Sequence, residues 1–119
     1  MNDSTTTIEA VKKLMKAFVQ ERDWQQFHTP KNLSMDIAVE ASELMEYFLW
    51  VDSSASYVIK SDKREGMTQE VADIFMALIC FCNVANIDLS VAFERKLKLT
   101  KEKYPVEKVK GKAIKYTDL

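Results

Sequence analysis

Apolar residues recur every three or four positions in four stretches of the chain, which is the spacing of amphipathic helices. A capping-box pattern from Thr6 to Glu9 precedes the first stretch and predicts where that helix begins. Between the second and third stretches, residues 52–66 are polar and are expected to form a linker with one short helical turn. The predicted fold class is therefore all-α, with a four-helix bundle-like protomer. Its helices are predicted at residues 8–19, 33–51, 67–85 and 89–103.

The third predicted helix is apolar on every side along its sequence VADIFMALICFCNVA. A helix of this kind has to be buried on all sides, and the other helices of one chain are too few to surround it. We therefore expect a second chain to complete its burial, in a homodimer or a dimer of dimers. A single domain is expected over residues 1–119, with a core at residues 8–104 and a tail at residues 105–119.

The composition excludes several classes of protein and of site. With 17 Lys and Arg against 18 Asp and Glu, the net charge of −1 does not favour nucleic-acid binding. Two glycines, two cysteines and one histidine exclude a glycine-rich phosphate loop and a structural zinc site. The N-terminus lacks the pattern of a secretory signal, and the longest apolar run, residues 74–82, is too short to span a bilayer. We therefore expect a cytoplasmic protein that contacts neither nucleic acid nor membrane, with Cys80 and Cys82 reduced and buried.

Two pairs of carboxylates carry the candidate chemistry. Glu40 and Glu43 are three positions apart on the second predicted helix, and another pair, Glu70 and Asp73, has the same spacing on the third. Residues three apart share a helix face, so two neighbouring helices can bring the four carboxylates together. The alternative is a set of solvated surface charges, but Glu70 and Asp73 are in line with apolar residues, and no Lys or Arg is expected on that stripe. Ligands made only of oxygen suit Mg²⁺ or Mn²⁺ rather than zinc, and a di-iron bundle would need Glu-x-x-His pairs that a chain with one histidine lacks.

Four segments around these acids resemble one protein family. They are RDWQQFHTPKNL at residues 22–33, EASELMEYFLW at 40–50, EVADIFMAL at 70–78 and IDLSVAFERKLKLTKEKYPVEK at 87–108. In order and spacing they are similar to the MazG-like, all-α nucleoside triphosphate pyrophosphohydrolases, and most closely to the dCTP pyrophosphatase branch. The resemblance covers about residues 8–111. The acidic pattern ExxE…ExxD of the family is represented here by Glu40, Glu43, Glu70 and Asp73.

The resemblance implies Mg²⁺-dependent hydrolysis of a (deoxy)nucleoside triphosphate between its α and β phosphates, in the cleansing of the nucleotide pool. The four acids would hold Mg²⁺, or Mn²⁺ as a substitute, and either Glu40 or Glu43 would accept the proton of the attacking water. The residues that the resemblance implies for the nucleobase are Trp24, Phe27, His28 and Trp50. Those that it implies for the phosphates are Lys31, Lys96, Lys103 and Tyr104.

Two positions depart from the family pattern. Ala77 stands where many relatives carry an aromatic residue, and Thr100 stands where an asparagine is frequent, so the base and sugar preference stays open. Glu46, one helical step beyond Glu43, is either a more distant part of the metal site or a surface acid. Two other functions also stay open. One is a nucleotide-binding regulator that has lost turnover, and the other is a purely structural helical oligomer.

Overall fold

A computed structural model describes all residues, 1–119, and contains only helices and turns. The predicted all-α class is therefore confirmed. The chain divides into two compact units, Met1–Ile87 and Asp88–Leu119, and its organisation as a single domain stays a prediction. The α-helices are α1 (Ile8–Glu21), α2 (Pro30–Glu46), α3 (Ser61–Ala85), α4 (Leu89–Lys103) and α5 (Val106–Val109), with 3-10 turns at Ala55–Tyr57 and Tyr116–Asp118.

The N-cap of α1 differs from the capping-box prediction. Thr7 caps the helix, and its hydroxyl accepts a hydrogen bond from the backbone N–H of Ala10 at 3.1 Å. The hydroxyl of Thr6 instead accepts one from the backbone N–H of Asn2 at 3.2 Å. The prediction of a Thr6 cap is wrong because the N-terminal residues form a turn that engages the Thr6 side chain.

The α2 helix lies closer to the N-terminus than its predicted range of 33–51. Thr29 caps it by accepting a backbone N–H, and Pro30 occupies the first helical position, where a missing N–H removes no hydrogen bond. The helix ends at Glu46, and the turns after it bring Trp50 into left-handed backbone with a φ of 63°. Because the apolar period continues past Glu46, it could not indicate where the helix ends.

The α3 helix begins at Ser61 rather than at the predicted Met67. Its first turns are polar and contain Gly66, features that favour a linker in the sequence. A Cβ at this position would meet the hydroxyl at the end of the Tyr47 side chain, so a residue larger than glycine requires that side chain to shift. The short helical turn that was expected within the linker is present as the 3-10 turn at Ala55–Tyr57.

The core of the first unit lies where α1, α2 and α3 meet. Val19, Leu33 and Cys80, one from each helix, form a buried cluster. The α3 helix packs chiefly on α2 and less extensively on α1. The start of α2 thus lies beside the end of α3, while Glu43 near the end of α2 approaches Glu70 in the first half of α3. The two helices are therefore antiparallel.

Within one chain, α3 is only partly buried. Ile79 and Cys82 are fully buried, but Val71, Phe75 and Met76 remain exposed. By length and composition this helix could span a membrane, and 28% of its 18-residue apolar stretch is buried inside the protein. A core helix of a soluble protein meets the same criteria. The expectation of burial on all sides is not met by the single chain. Both cysteines are free and buried, as predicted.

The second unit consists of α4, α5 and the terminal 3-10 turn. Asp88 caps α4 by accepting the backbone N–H of Val91 at 3.0 Å, and Tyr104 ends the helix before Pro105, as predicted. No residue of α4 is buried, and Phe93, which the apolar pattern places on the inward face, is 66% exposed. The apolar residues of α4 therefore lack a cover in one chain.

Candidate metal and nucleotide site

Three glutamates from α2 and α3 converge on one point. Carboxylate oxygens of Glu40, Glu43 and Glu70 all lie within 4.8 Å of one another. The three-residue spacing on α2 places two of them on one face, and the antiparallel packing of α3 brings the third to the same place. This convergence is the arrangement that the helical spacing predicts. We refer to it as the glutamate cluster.

Two oxygens of the glutamate cluster are buried and have no hydrogen-bond donor. They are Oε2 of Glu40 and Oε2 of Glu70. Burial, followed by the charge of Glu43, raises the pKa of Glu40 to about 7. Burial and the close approach of Glu43 also raise the pKa of Glu70. Because a buried acceptor without a donor costs free energy, the cluster requires either protons or a cation.

Asp73, the fourth predicted ligand, lies beside the glutamate cluster but outside its set of close oxygens. It is half-buried, one helical turn after Glu70 on α3. After burial and Glu43, its charge is a further cause of the raised pKa values of Glu40 and Glu70. The structure thus brings three of the four predicted ligands into mutual range and places the fourth next to them.

The donor set of the glutamate cluster fits a hard divalent cation. Every donor is a carboxylate oxygen, which Mg²⁺ and Mn²⁺ prefer, and no histidine or cysteine belongs to the cluster. A bound cation would also satisfy the two buried oxygens that lack donors. The residues present therefore fit the ion that the sequence leads us to expect.

A cavity of about 420 Å³ opens beside the glutamate cluster. Lys63 lines it together with Glu43, Glu46 and Glu70, and we call it the Lys63 cavity. No Lys or Arg lies on the stripe from Glu70 onward, as predicted, but α3 extends back to Ser61 and so includes Lys63, which was expected in the linker. Lys63 lies two helical turns before Glu70, and this spacing is the signal in the sequence that could have revealed it.

A second cavity, of about 430 Å³, lies between α1, the loop after α1 and the C-terminal half of α3. We call it the α1–α3 cavity. His28, one of the predicted nucleobase residues, lines it, as do Cys80 and Asn83. Burial, and then the charge of Asp36, raises the pKa of the Cys80 thiol. The charge of Asp36 is also a cause, after burial, Glu43 and Asp73, of the raised pKa of Glu40.

The predicted nucleobase residues lie in two places along the chain. In the loop after α1, the rings of Trp24 and His28 are 6.3 Å apart, and the Trp24 ring also packs edge-on against Phe18 at 5.7 Å. Phe27, in the same loop, is exposed. Trp50 follows α2, is 95% exposed and has a positive φ, which is uncommon for a bulky residue. The Trp24 ring is thus partly used in packing, whereas Trp50 is presented to solvent from a strained backbone.

The predicted phosphate residues belong to both compact units. Lys31 is exposed in the first turn of α2, and Lys96 is exposed on α4. At the end of α4, the ammonium of Lys103 lies 4.6 Å from the centre of the Tyr116 ring, and the Tyr104 ring meets the Tyr116 ring edge-on at 6.0 Å. These contacts fold the tail onto the end of α4. The phosphate roles of all four residues stay predictions.

Comparisons of sequence with known proteins point to one family. The MazG-like family model matches residues 35–119, a range that contains the glutamate cluster and Asp73. The chain is 33% identical to dCTP pyrophosphatase 1 of Rattus norvegicus over 115 residues, which are 95% of this chain and 68% of the rat protein. It is 34% identical to dCTP pyrophosphatase 1 of Bos taurus over 118 residues, which are 98% of this chain and 70% of the bovine protein.

The fold also has a close counterpart among solved structures. A crystal structure of a pyrophosphatase from Archaeoglobus fulgidus DSM 4304 superimposes with a TM-score of 0.79 at 30% sequence identity. The match covers 88% of this chain and 98% of that chain. The helical arrangement that holds the glutamate cluster is therefore shared with a pyrophosphatase.

Proposed function

The chain belongs to the MazG-like family, and from this premise we propose that it hydrolyses deoxynucleoside triphosphates, dCTP or a related one, to the monophosphate and pyrophosphate. The observation that carries the proposal is the glutamate cluster with its two buried oxygens that lack donors. The activities named for the rat, bovine and archaeal relatives support the same reaction. The enzyme is thus a nucleoside triphosphate pyrophosphohydrolase that acts in nucleotide-pool cleansing.

The reaction depends on Mg²⁺, with Mn²⁺ as a substitute, because a triphosphate and several carboxylates repel one another without cations between them. Glu40, Glu43 and Glu70 would hold the ion, with Asp73 beside them as the fourth ligand. A cation held there would supply positive charge to the phosphate oxygens, which favours attack at the α-phosphorus. The buried oxygens of Glu40 and Glu70 support this assignment, since they have no other partner.

Glu40 or Glu43 accepts the proton of the attacking water. Both carboxylates lie in the glutamate cluster, and a carboxylate is a suitable general base within hydrogen-bond reach of that water. Separate substitutions by Gln distinguish them. Loss of the proton acceptor lowers kcat while ion binding is retained, whereas loss of a ligand alone weakens ion binding.

In this proposal, the leaving pyrophosphate lies in the Lys63 cavity. Lys63 lines this cavity beside Glu43 and Glu70, so its ammonium group can offset the charge of the departing group. This lysine adds to the phosphate residues that the family resemblance implies. Those residues are Lys31, Lys96, Lys103 and Tyr104.

The nucleobase is held by aromatic residues from the loop after α1 and from the end of α2. Trp24 and Trp50 provide stacking surfaces, Phe27 adds apolar contact, and His28 lines the α1–α3 cavity. Aromatic side chains can stack on any base. They therefore supply affinity, and selection between bases needs a hydrogen-bonding group.

The active form is a homodimer or a homotetramer in the cytoplasm. The exposed apolar residues Phe75 and Met76 on α3 and Phe93 on α4 support an assembly, because burying apolar surface of this kind stabilises subunit contacts. Light scattering at micromolar concentration tests this. A stable monomer contradicts the proposed assembly.

Incubation of the purified protein with Mg²⁺ and each deoxynucleoside triphosphate tests the reaction. We expect the monophosphate and pyrophosphate as products, with no turnover in EDTA. Release of orthophosphate contradicts the proposed bond cleavage. Tight nucleotide binding without product favours a regulator that has lost turnover, and absence of both nucleotide and Mg²⁺ binding favours a structural oligomer.

A further inference from the structure

Asn83 is a polar residue of the α1–α3 cavity to which neither the metal site nor the family resemblance gives a role. Its Nδ2 donates a hydrogen bond to the backbone carbonyl of Lys12 at 2.9 Å. The ammonium of Lys12 donates in turn to the backbone carbonyl of Ile87 at 2.8 Å. Both hydrogen bonds are partly buried, and together they join α1 to the end of α3.

These hydrogen bonds fix which end of the Asn83 amide is available to the cavity. The amide cannot turn over without losing the bond from Nδ2 to Lys12. Its oxygen, Oδ1, accepts no hydrogen bond within the protein. It is not among the buried side-chain atoms that lack a partner, so it is accessible to water, and an N–H donor of a ligand can take the place of that water. The α1–α3 cavity therefore offers a fixed acceptor to whatever occupies it.

The position of Asn83 relative to the glutamate cluster suits the far edge of a nucleotide base. Along α3, Asn83 lies about 15 Å beyond Asp73, which is comparable to the length of a nucleoside monophosphate with a cation on its phosphate. The cavity volume of about 430 Å³ is within the range of small-molecule sites. Cys80, which lines the cavity, lies two helical turns after Asp73 on the same face of α3, so the cavity is in line with the cluster along that face.

We propose that Asn83 determines base specificity by accepting a hydrogen bond from the exocyclic amino group of cytosine. This inference rests on the proposed function, and it adds a specificity residue to that reaction. Uracil and thymine carry an oxygen at the same ring position, so with these bases two acceptors would face each other without a proton between them. A site built to hydrogen-bond one group disfavours an analogue that leaves its polar atom unpaired.

Steady-state kinetics with dCTP and dUTP test the proposal, because these substrates differ at the group that Asn83 contacts. We expect wild type to prefer dCTP, and Asn83→Leu to reduce the ratio of kcat/KM for dCTP over dUTP roughly tenfold, through loss of dCTP activity. Asn83→Asp keeps an acceptor oxygen and should retain more of the preference. Gln69→Leu is the matched control, since Gln69 is an exposed amide on the same helix that lines neither cavity. It should leave the ratio unchanged.

The contrary outcomes are distinct. If Asn83→Leu lowers turnover of both substrates equally and lowers the melting temperature, Asn83 only joins α1 to α3 and the proposal is overturned. An unchanged ratio overturns it as well, while the proposed function stands. If wild type hydrolyses no triphosphate, the proposed function fails, and calorimetry with dCMP and dUMP tests the inference by itself. A preference for dCMP that Asn83→Leu abolishes supports it, and equal or absent binding overturns it.

Discussion

The hydroxyl of Tyr47 lies in the space that a Cβ atom at Gly66 would occupy, so the end of α2 rests directly on the backbone of α3. Glu43 is one turn before Tyr47 on α2, and Glu70 is one turn after Gly66 on α3. The contact between Tyr47 and Gly66 therefore positions the two halves of the glutamate cluster relative to each other.

Replacement of Gly66 by Ala tests this contact. Ala is the better helix former by about 1 kcal/mol, but the added methyl group has to displace the Tyr47 hydroxyl, and overpacking costs about 1–3 kcal/mol. We expect a lower free energy of unfolding in urea denaturation, and lower activity because Glu43 moves relative to Glu70. In the double variant with Tyr47→Phe, which removes the hydroxyl, most of the stability should return. A Gly66→Ala protein as stable as wild type contradicts the contact.

Replacement of Glu43 by Gln should lower kcat by at least about a hundredfold. Glu43 is the neighbour whose charge raises the pKa of both Glu40 and Glu70, so its neutralisation also relieves repulsion in the ion-free protein. We therefore expect a melting temperature in EDTA that is equal to or above that of wild type. Glu65→Gln, an exposed position on α3, is the control and should keep full activity. Full activity of Glu43→Gln would exclude Glu43 from the reaction.

The stability of the ion-free protein should fall as the pH rises toward and past 7. The pKa of Glu40 is about 7 in the folded protein against an ordinary value of 4.5, so the folded state binds a proton more readily than the unfolded state. Stability from this group is complete below about pH 4.5 and is lost as the pH rises through 7. Thermal melting in EDTA between pH 5 and 8 measures it.

Mg²⁺ should counteract this loss, and more strongly at pH 8 than at pH 6, since the ion and the proton compete for the same oxygens. Glu40→Gln should flatten the pH dependence in EDTA. Melting temperatures in EDTA that do not depend on pH over this range argue against a strained carboxyl at Glu40.

Replacement of Lys63 by Gln should weaken inhibition by pyrophosphate more than inhibition by the nucleoside monophosphate. Lys63 lines the cavity beside Glu43 and Glu70, where the departing group is proposed to lie, and a charge-assisted contact contributes about 1.5–3 kcal/mol. Arg64→Gln removes one positive charge from the same turn of α3 without lining that cavity. It serves as the matched control. Equal effects of the two variants would indicate only a general loss of positive charge.

Replacement of Trp50 by Gly should separate stability from activity. Trp50 is 95% exposed and has a φ of 63°, so its ring contributes little burial, and glycine relieves a left-handed backbone strain of about 1–2 kcal/mol. We expect unfolding stability equal to or above that of wild type, but kcat/KM lower by roughly tenfold or more, because base stacking contributes about 1–3 kcal/mol. Trp50→Phe keeps an aromatic ring and should retain most activity. Undiminished kcat/KM in the glycine variant would remove Trp50 from the base site.

The convergence of Glu40, Glu43 and Glu70 could be predicted from the sequence because it depends on local periodicity. Residues three apart share a face wherever a helix forms, and apolar spacing revealed both helices. The beginning of α3 could not be predicted in this way. Its first turns carry no apolar period, and Gly66 resembles a helix breaker until the Tyr47 hydroxyl beside it is seen.

Apolar periodicity also gives no information on the two polar residues that extend the candidate site, Lys63 and Asn83. Lys63 lies in a segment whose polar sequence predicts a linker, and only the extension of α3 back to Ser61 aligns it with Glu70. Asn83 lay within an apolar run, and its role depends on a hydrogen bond to Lys12 in a distant part of the sequence. Both depend on tertiary contacts, which a one-dimensional hydrophobic pattern does not contain.

The crowding of carboxylates between α2 and α3 also bears on how well the protein resists proteolysis. Without a divalent cation these helices repel each other where they should pack, so the chain opens more often and exposes its backbone to proteases. With the proposed ion bound, the same carboxylates would hold the helices together. Digestion of the purified protein by an added protease should therefore be faster in EDTA than with Mg²⁺ present.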